Sequence, residues 1–106
     1  MGYVYLICDP ATDRFKIGVT RNLNSNRIKK LQTGNSTELF ITDRYETNWP
    51  FRLETLLHKH FHNKHVINEW FALDAMDVVA FRKTCELLEN NIQILKDNPF
   101  FAKDLK

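Results

Sequence analysis

The sequence predicts an α+β domain: a small three-stranded antiparallel sheet flanked by helices, with a long C-terminal helix. Three observations predict it. Two β-branched and aromatic runs, "YVYLIC" and "RFKIGVT", are joined by an Asp-Pro turn signal. A third run, "ELFITDRY", alternates Leu39, Ile41 and Asp43 with Phe40, Thr42 and Arg44. From Asp74 onward, the apolar positions Val78, Phe81, Cys85, Leu88, Ile92 and Leu95 advance by threes and fours, as one face of a sustained helix does.

In chain order, the first two runs form a hairpin with a loop of about five residues. Phe15, Ile17 and Val19 alternate there against Arg14, Lys16 and Gly18. The segment "NLNSNRIKKLQTG" is read as a helix, with Asn22 or Asn24 at its start and Gly34 just past its end. After the third strand, "NWPFRLETLLHKHF" is a short helix with Asn48 as cap and Pro50 in its first turn. Leu53, Leu56, Leu57 and Phe61 supply its buried stripe. "HNKHVINEWFAL" is read as a loop with a short apolar piece, in which Glu69 anchors the loop by hydrogen bonds and Trp70 and Phe71 are core. Asp74 and Asp77 open the long helix as a capping box. The order is β-β-α-β-α-α, with residues 1–73 as the core and residues 74–106 as a helix and tail packed on the same domain.

At 106 residues and 43% apolar, the chain has material for one core. No run reaches the roughly 18 apolar residues of a membrane span, and the start lacks a signal peptide's pattern. Cys8 and Cys85 sit in apolar surroundings and are read as reduced, buried thiols. An intracellular, cytoplasmic protein with no membrane partner is expected, in the nucleus or a viral factory should the host be eukaryotic. The net charge is only +2, but its distribution is uneven: between Arg14 and Thr37 there is no acid, while Arg14, Lys16, Arg21, Arg27, Lys29 and Lys30 all fall there. That is the footprint of a phosphate-binding face; its plainer reading is a solvated basic helix.

These residues resemble the GIY-YIG nuclease superfamily, in particular its small phage and viral branch with the meiotically up-regulated-gene-type domains, over residues 2–73. Tyr3-Val4-Tyr5 matches the first strand motif. Lys16-Ile17-Gly18 stands where the family carries Tyr-Ile-Gly, Arg27 fits the helix arginine, and Glu54 in "RLETLLHKHF" fits the metal-binding glutamate. "LQTGN" and "EWF" strengthen the match.

The resemblance implies a divalent-metal-dependent endonuclease hydrolysing DNA phosphodiester bonds with one Mg²⁺ or Mn²⁺ on Glu54. Hard cations of this kind take oxygen ligands and retain water. Arg27 would hold the transition-state phosphate through its planar fork. Tyr5 would be the general base or position the attacking water, and His58, one helical turn after Glu54, is a second candidate base because histidine titrates nearest neutral pH. Lys16, Arg21 and Lys30 would contact phosphate. Lys16 departs from the motif's tyrosine, since an ammonium cannot accept a hydrogen bond. Each candidate has a plainer reading: Tyr5 as a packed strand aromatic, Arg27 as a solvated helix residue, Glu54 as a helix acid paired with His58. A rival cluster, Glu54, His58 and His62 at four-residue steps with His60 and His65 nearby, has the ligand types of a zinc site. Two alternatives to the nuclease stand beside it. One is a non-cleaving module of the same fold that binds DNA or RNA. The other is a protein-interaction domain, in which the C-terminal helix and "NPFF" support a homodimer or a protein partner.

Overall fold

The computed structural model describes residues 1–22 and 39–96. The helix expected over "NLNSNRIKKLQTG", with Arg27 and Lys30, lies outside the described residues, as do Pro99, Phe100 and Phe101.

The predicted hairpin forms as β1 (Gly2–Asp9) and β2 (Arg14–Thr20), paired antiparallel with Tyr5 opposite Gly18 and Ile7 opposite Lys16. Its loop is shaped by Asp9, whose carboxylate accepts the Ala11 amide at 3.1 Å, and by Asp13 in the left-handed region at φ 56°, a conformation that aspartate tolerates. β3 (Phe40–Thr47) pairs antiparallel with the other edge of β1. One irregularity interrupts it: Leu6 faces Asp43 and Ile7 faces Ile41, so Thr42 is extra, as in a β-bulge.

The sheet has five strands, not three, in the order β3-β1-β2-β5-β4. The stretch expected to be a loop contains β4 (His65–Ile67) and β5 (Trp70–Phe71), an antiparallel hairpin turned by Asn68 and Glu69, with Asn68 at φ 51°. Strands of three and two residues are too short to show an alternation. Their persistence comes from the pairing of β5 with Phe15 and Lys16 of β2.

Side chains alternate across a strand, so the register sorts them. Val4 and Leu6 share one face with Phe15, Ile17, Val19 and Phe71, and this face meets Leu53, Leu57, Phe61, Phe81, Cys85 and Ile92 in the apolar core. Those helical residues come from α1 (Pro50–His60) and α3 (Phe81–Lys96). In α1, Pro50 occupies the first turn as expected; the cap position is Trp49 rather than Asn48, and its amide is held by the Thr47 hydroxyl at 3.1 Å.

The single long C-terminal helix is also corrected. The Asp74–Asp77 capping box is present and opens α2 (Ala75–Val79), but α2 ends at Ala80, with φ −87° and ψ 6°. α3 then starts at Phe81, which is fully buried. A three-four spacing records which side is apolar and carries straight across a bend, so it cannot show one.

β3 is tied to α3 by polar contacts. The Tyr45 phenol donates to one Glu89 oxygen at 2.9 Å, the Thr47 hydroxyl donates to the other, and Arg82 pairs with Asp43 at 2.7 Å. Burial, then the bond to Glu89, pushes the Tyr45 phenol up from 10.0 to about 12. In the unfolded chain tyrosine ionises first, so this contribution is intact below pH 10.0 and is lost as pH rises toward about 12. Urea midpoints measured across that window should fall more steeply in the wild type than in Tyr45→Phe; parallel declines would contradict the assignment. Cys8 and Cys85 are free thiols. Burial raises both, Cys85 to about 12, which favours the protonated form. Among the described residues no helix is long and apolar enough to cross a membrane.

Candidate functional site

Tyr5, Lys16, Gly18 and Trp70 lie on the sheet face opposite the apolar core, together with Arg44 of β3. Tyr5 is fully buried there. A Cβ placed on Gly18 would lie 2.4 Å from the Tyr5 Oη and 2.5 Å from Cζ. Gly18 is therefore the floor on which the phenol ring rests. A bare strand position of this kind allows close approach, and here the group that approaches is a neighbouring side chain.

Lys16 and Glu69 form an ion pair, with the lysine side chain 12% exposed and the glutamate 32%. The Glu69 carbonyl also accepts the Ile17 amide at 3.1 Å. Glu69 thus anchors its turn, as its sequence context suggests, and the element it grips is β2. The ammonium has a fixed position beside the next strand, so the side chain that replaces a motif tyrosine is held by a carboxylate.

The outer edge of β2 is paired by β5 only at Phe15 and Lys16 among the described residues. At Ile17 the edge is met by α1. The His58 Nε2–H donates to the Ile17 carbonyl at 3.0 Å, and the imidazole stands edge-on to the Phe71 ring with centroids 4.9 Å apart. Since a carbonyl can only accept, this bond places a proton on Nε2, so that in the neutral ring Nδ1 is the acceptor. Glu54 lies one turn earlier on α1, half-buried like His58. Residues four apart on a helix have Cβ atoms about 5–6 Å from each other, so the two side chains share one flank of α1. The structure therefore brings Glu69 to Lys16 and the Ile17 amide, and His58 to the Ile17 carbonyl, while Glu54 lies one turn from His58 on α1. Tyr5 is enclosed one pleat away, and Arg21 is exposed just beyond the end of β2.

The rival histidine cluster does not form. α1 ends at His60, and His62 enters a 3-10 turn where its Nδ1 bonds the Lys59 carbonyl at 2.9 Å. His65 Nε2 bonds the Asn68 carbonyl at 2.7 Å. Among the described residues no group of three His, Cys, Asp or Glu could hold a metal ion together.

The model of the T5orf172 domain matches residues 2–88. The chain belongs to the T5orf172-domain family. This corrects the family suggested by the "YVY", "KIG" and "RLET" motifs: the matching model is that of the T5orf172 domain, a distinct family, and not a GIY-YIG nuclease model. Short motifs of two or three common residues are shared by chance or by common strand geometry more readily than a profile spanning most of a domain. The T5orf172 domain is phage-associated and often linked to nuclease or DNA-binding function. No curated protein and no solved structure matches the chain.

The sequence reading missed the β4–β5 hairpin that carries Glu69 and Trp70 to the site. Its signal is "VINEWF", two apolar pairs around an Asn-Glu turn.

Proposed function

We propose that this T5orf172 domain is a metal-dependent DNA endonuclease whose cleavage centre lies along the outer edge of β2. The observation that supports the reading is the His58–Ile17 carbonyl bond, which holds the imidazole at the strand that also carries Lys16, one helical turn from Glu54.

Phosphodiester hydrolysis needs a proton acceptor for water and a positive field at the phosphoryl oxygens. Glu54 offers a single carboxylate. That donor set fits a hard divalent cation such as Mg²⁺ or Mn²⁺, which is content with one or two carboxylates, phosphate oxygens and water. Bound there, such an ion would polarise the phosphate and stabilise the leaving oxygen. His58 Nδ1 takes the proton from the attacking water while Nε2–H keeps the ring in plane. Lys16, steered by Glu69, and the exposed Arg21 supply positive charge along the DNA path. Arg27 and Lys30, from the acid-free segment, are further candidate phosphate contacts by residue type alone. Tyr5 acts as a positioning residue, its ring packed on Gly18 so that β1 and β2 hold a fixed spacing.

A second reading, a module that binds nucleic acid without cutting, is favoured by the Lys16–Glu69 pair, which already occupies the lysine. Nicking of supercoiled plasmid with Mg²⁺ or Mn²⁺ separates the two. Wild type should nick, and Glu54→Gln should lower the rate by roughly 100-fold, the scale of removing one transition-state charge contact. If wild type and Glu54→Gln leave the plasmid equally intact, the endonuclease reading fails. Binding that then weakens steeply with salt supports the second, since phosphate contacts release counterions.

A further inference from the structure

Two adjacent rows of paired residues cross the sheet beside the cleavage centre. Asp9 of β1 faces Arg14 of β2, Lys16 faces Trp70 of β5, and Trp70 faces Ile67 of β4. By the alternation of strand side chains, all lie on the face opposite the apolar core. Asp9, Thr12, Arg14, Val66, Ile67 and Trp70 line an open pocket there. Its wall is the β4–β5 hairpin, where Val66 is 44% and Ile67 60% exposed, and Trp70 is half-buried. At the other end stand a hydroxyl, a guanidinium and the carboxylate of Asp9, itself 8% exposed.

We propose that this pocket receives an unpaired nucleobase of the nucleic acid handled at the β2 edge; the proposal rests on the nucleic-acid reading above. A nucleobase has a π-face that needs an aromatic or apolar partner, and an edge of donors and acceptors. The pocket offers both in that arrangement: Trp70 and Ile67 for the face, Arg14, Thr12 and Asp9 for the edge. Carboxylates accept from exocyclic amino groups, and guanidinium donates to ring and carbonyl acceptors. Position supports the same occupant. Arg14 and Lys16 are two residues apart on β2, roughly 7 Å, which is the scale of a single nucleotide, so a strand whose phosphate meets Lys16 brings its base to Trp70. The substrate class is therefore single-stranded or locally splayed nucleic acid, in which a base is free to leave the stack.

The chain has two tryptophans, Trp49 and Trp70, so Trp49→Phe leaves Trp70 as the lone reporter. Its fluorescence is followed during titration with a single-stranded oligodeoxynucleotide and with a length-matched abasic deoxyribose-phosphate strand. Saturable quenching by the base-bearing strand alone is the expected result. Ile67→Glu, at a position that is 60% exposed, should weaken that binding about ten-fold or more, the scale of one lost base-stacking contact. Absence of quenching, equal quenching by both strands, or an unchanged Ile67→Glu affinity overturns the pocket. The two readings fail separately: Glu54-dependent nicking without a Trp70 response overturns only the pocket, and a Trp70 response without nicking overturns only the endonuclease.

Discussion

Gly18→Ala should destabilise the protein by about 3 kcal/mol, at the upper end of what overpacking a core costs. The sign is opposite to the ordinary one. In a strand interior, alanine outdoes glycine by roughly 0.5–1 kcal/mol because it loses less backbone entropy on folding. Here the added methyl would sit 2.4–2.9 Å from three atoms of the Tyr5 ring. The ring is rigid and fully buried, and its strand is hydrogen-bonded to neighbours on both sides, so neither partner yields cheaply. Urea unfolding gives the measurement. The same alanine in a Tyr5→Ala background should cost far less, because the methyl then enters the space the ring has vacated; additive effects in that cycle, or a stable single mutant, would show that the ring does not rest on Gly18.

Phe81→Ala should cost about 3–5 kcal/mol, the range for deleting a buried aromatic ring. Phe81 is fully buried, and it belongs to the same core cluster as Leu53 and Leu57 of α1 and Cys85 of α3. It is also the first residue of α3, directly after the bend at Ala80. Its removal therefore opens a cavity where the direction of the C-terminal helix is decided. For a domain whose total stability is of order 5–15 kcal/mol, that is about a fifth of the whole or more, and thermal unfolding should show it plainly. Met76→Ala, on the exposed side of α2, provides the control and should change little; equal effects would place the core elsewhere.

Much of this was legible in the sequence. Strand alternation in "RFKIGVT", the Pro50 start of α1 and the three-four stripe from Val78 to Ile92 are local patterns, set by which side chains must leave water and by the period of the backbone that presents them. They determined the α+β class, the hairpin register, the buried faces of α1 and α3, and the placing of Tyr5 and Lys16 on one sheet face. Glu54 and His58 on one helix flank follow from the same periodicity.

Other features were decided only in three dimensions. Lys16 and Glu69 are 53 residues apart, and no local spacing announces their pairing. β5 has two residues and gains its identity from β2, not from its own propensity. The bend at Ala80 is invisible to a stripe that continues through it. Gly18 reads as room for a backbone, of nucleic acid or of the next helix, to come close, and only the register with β1 shows that the Tyr5 ring fills it instead. The physical reason is common to all four: secondary structure answers to neighbours within a few residues, whereas charge partners, short strands, helix directions and close contacts answer to groups that folding brings together from distant parts of the chain.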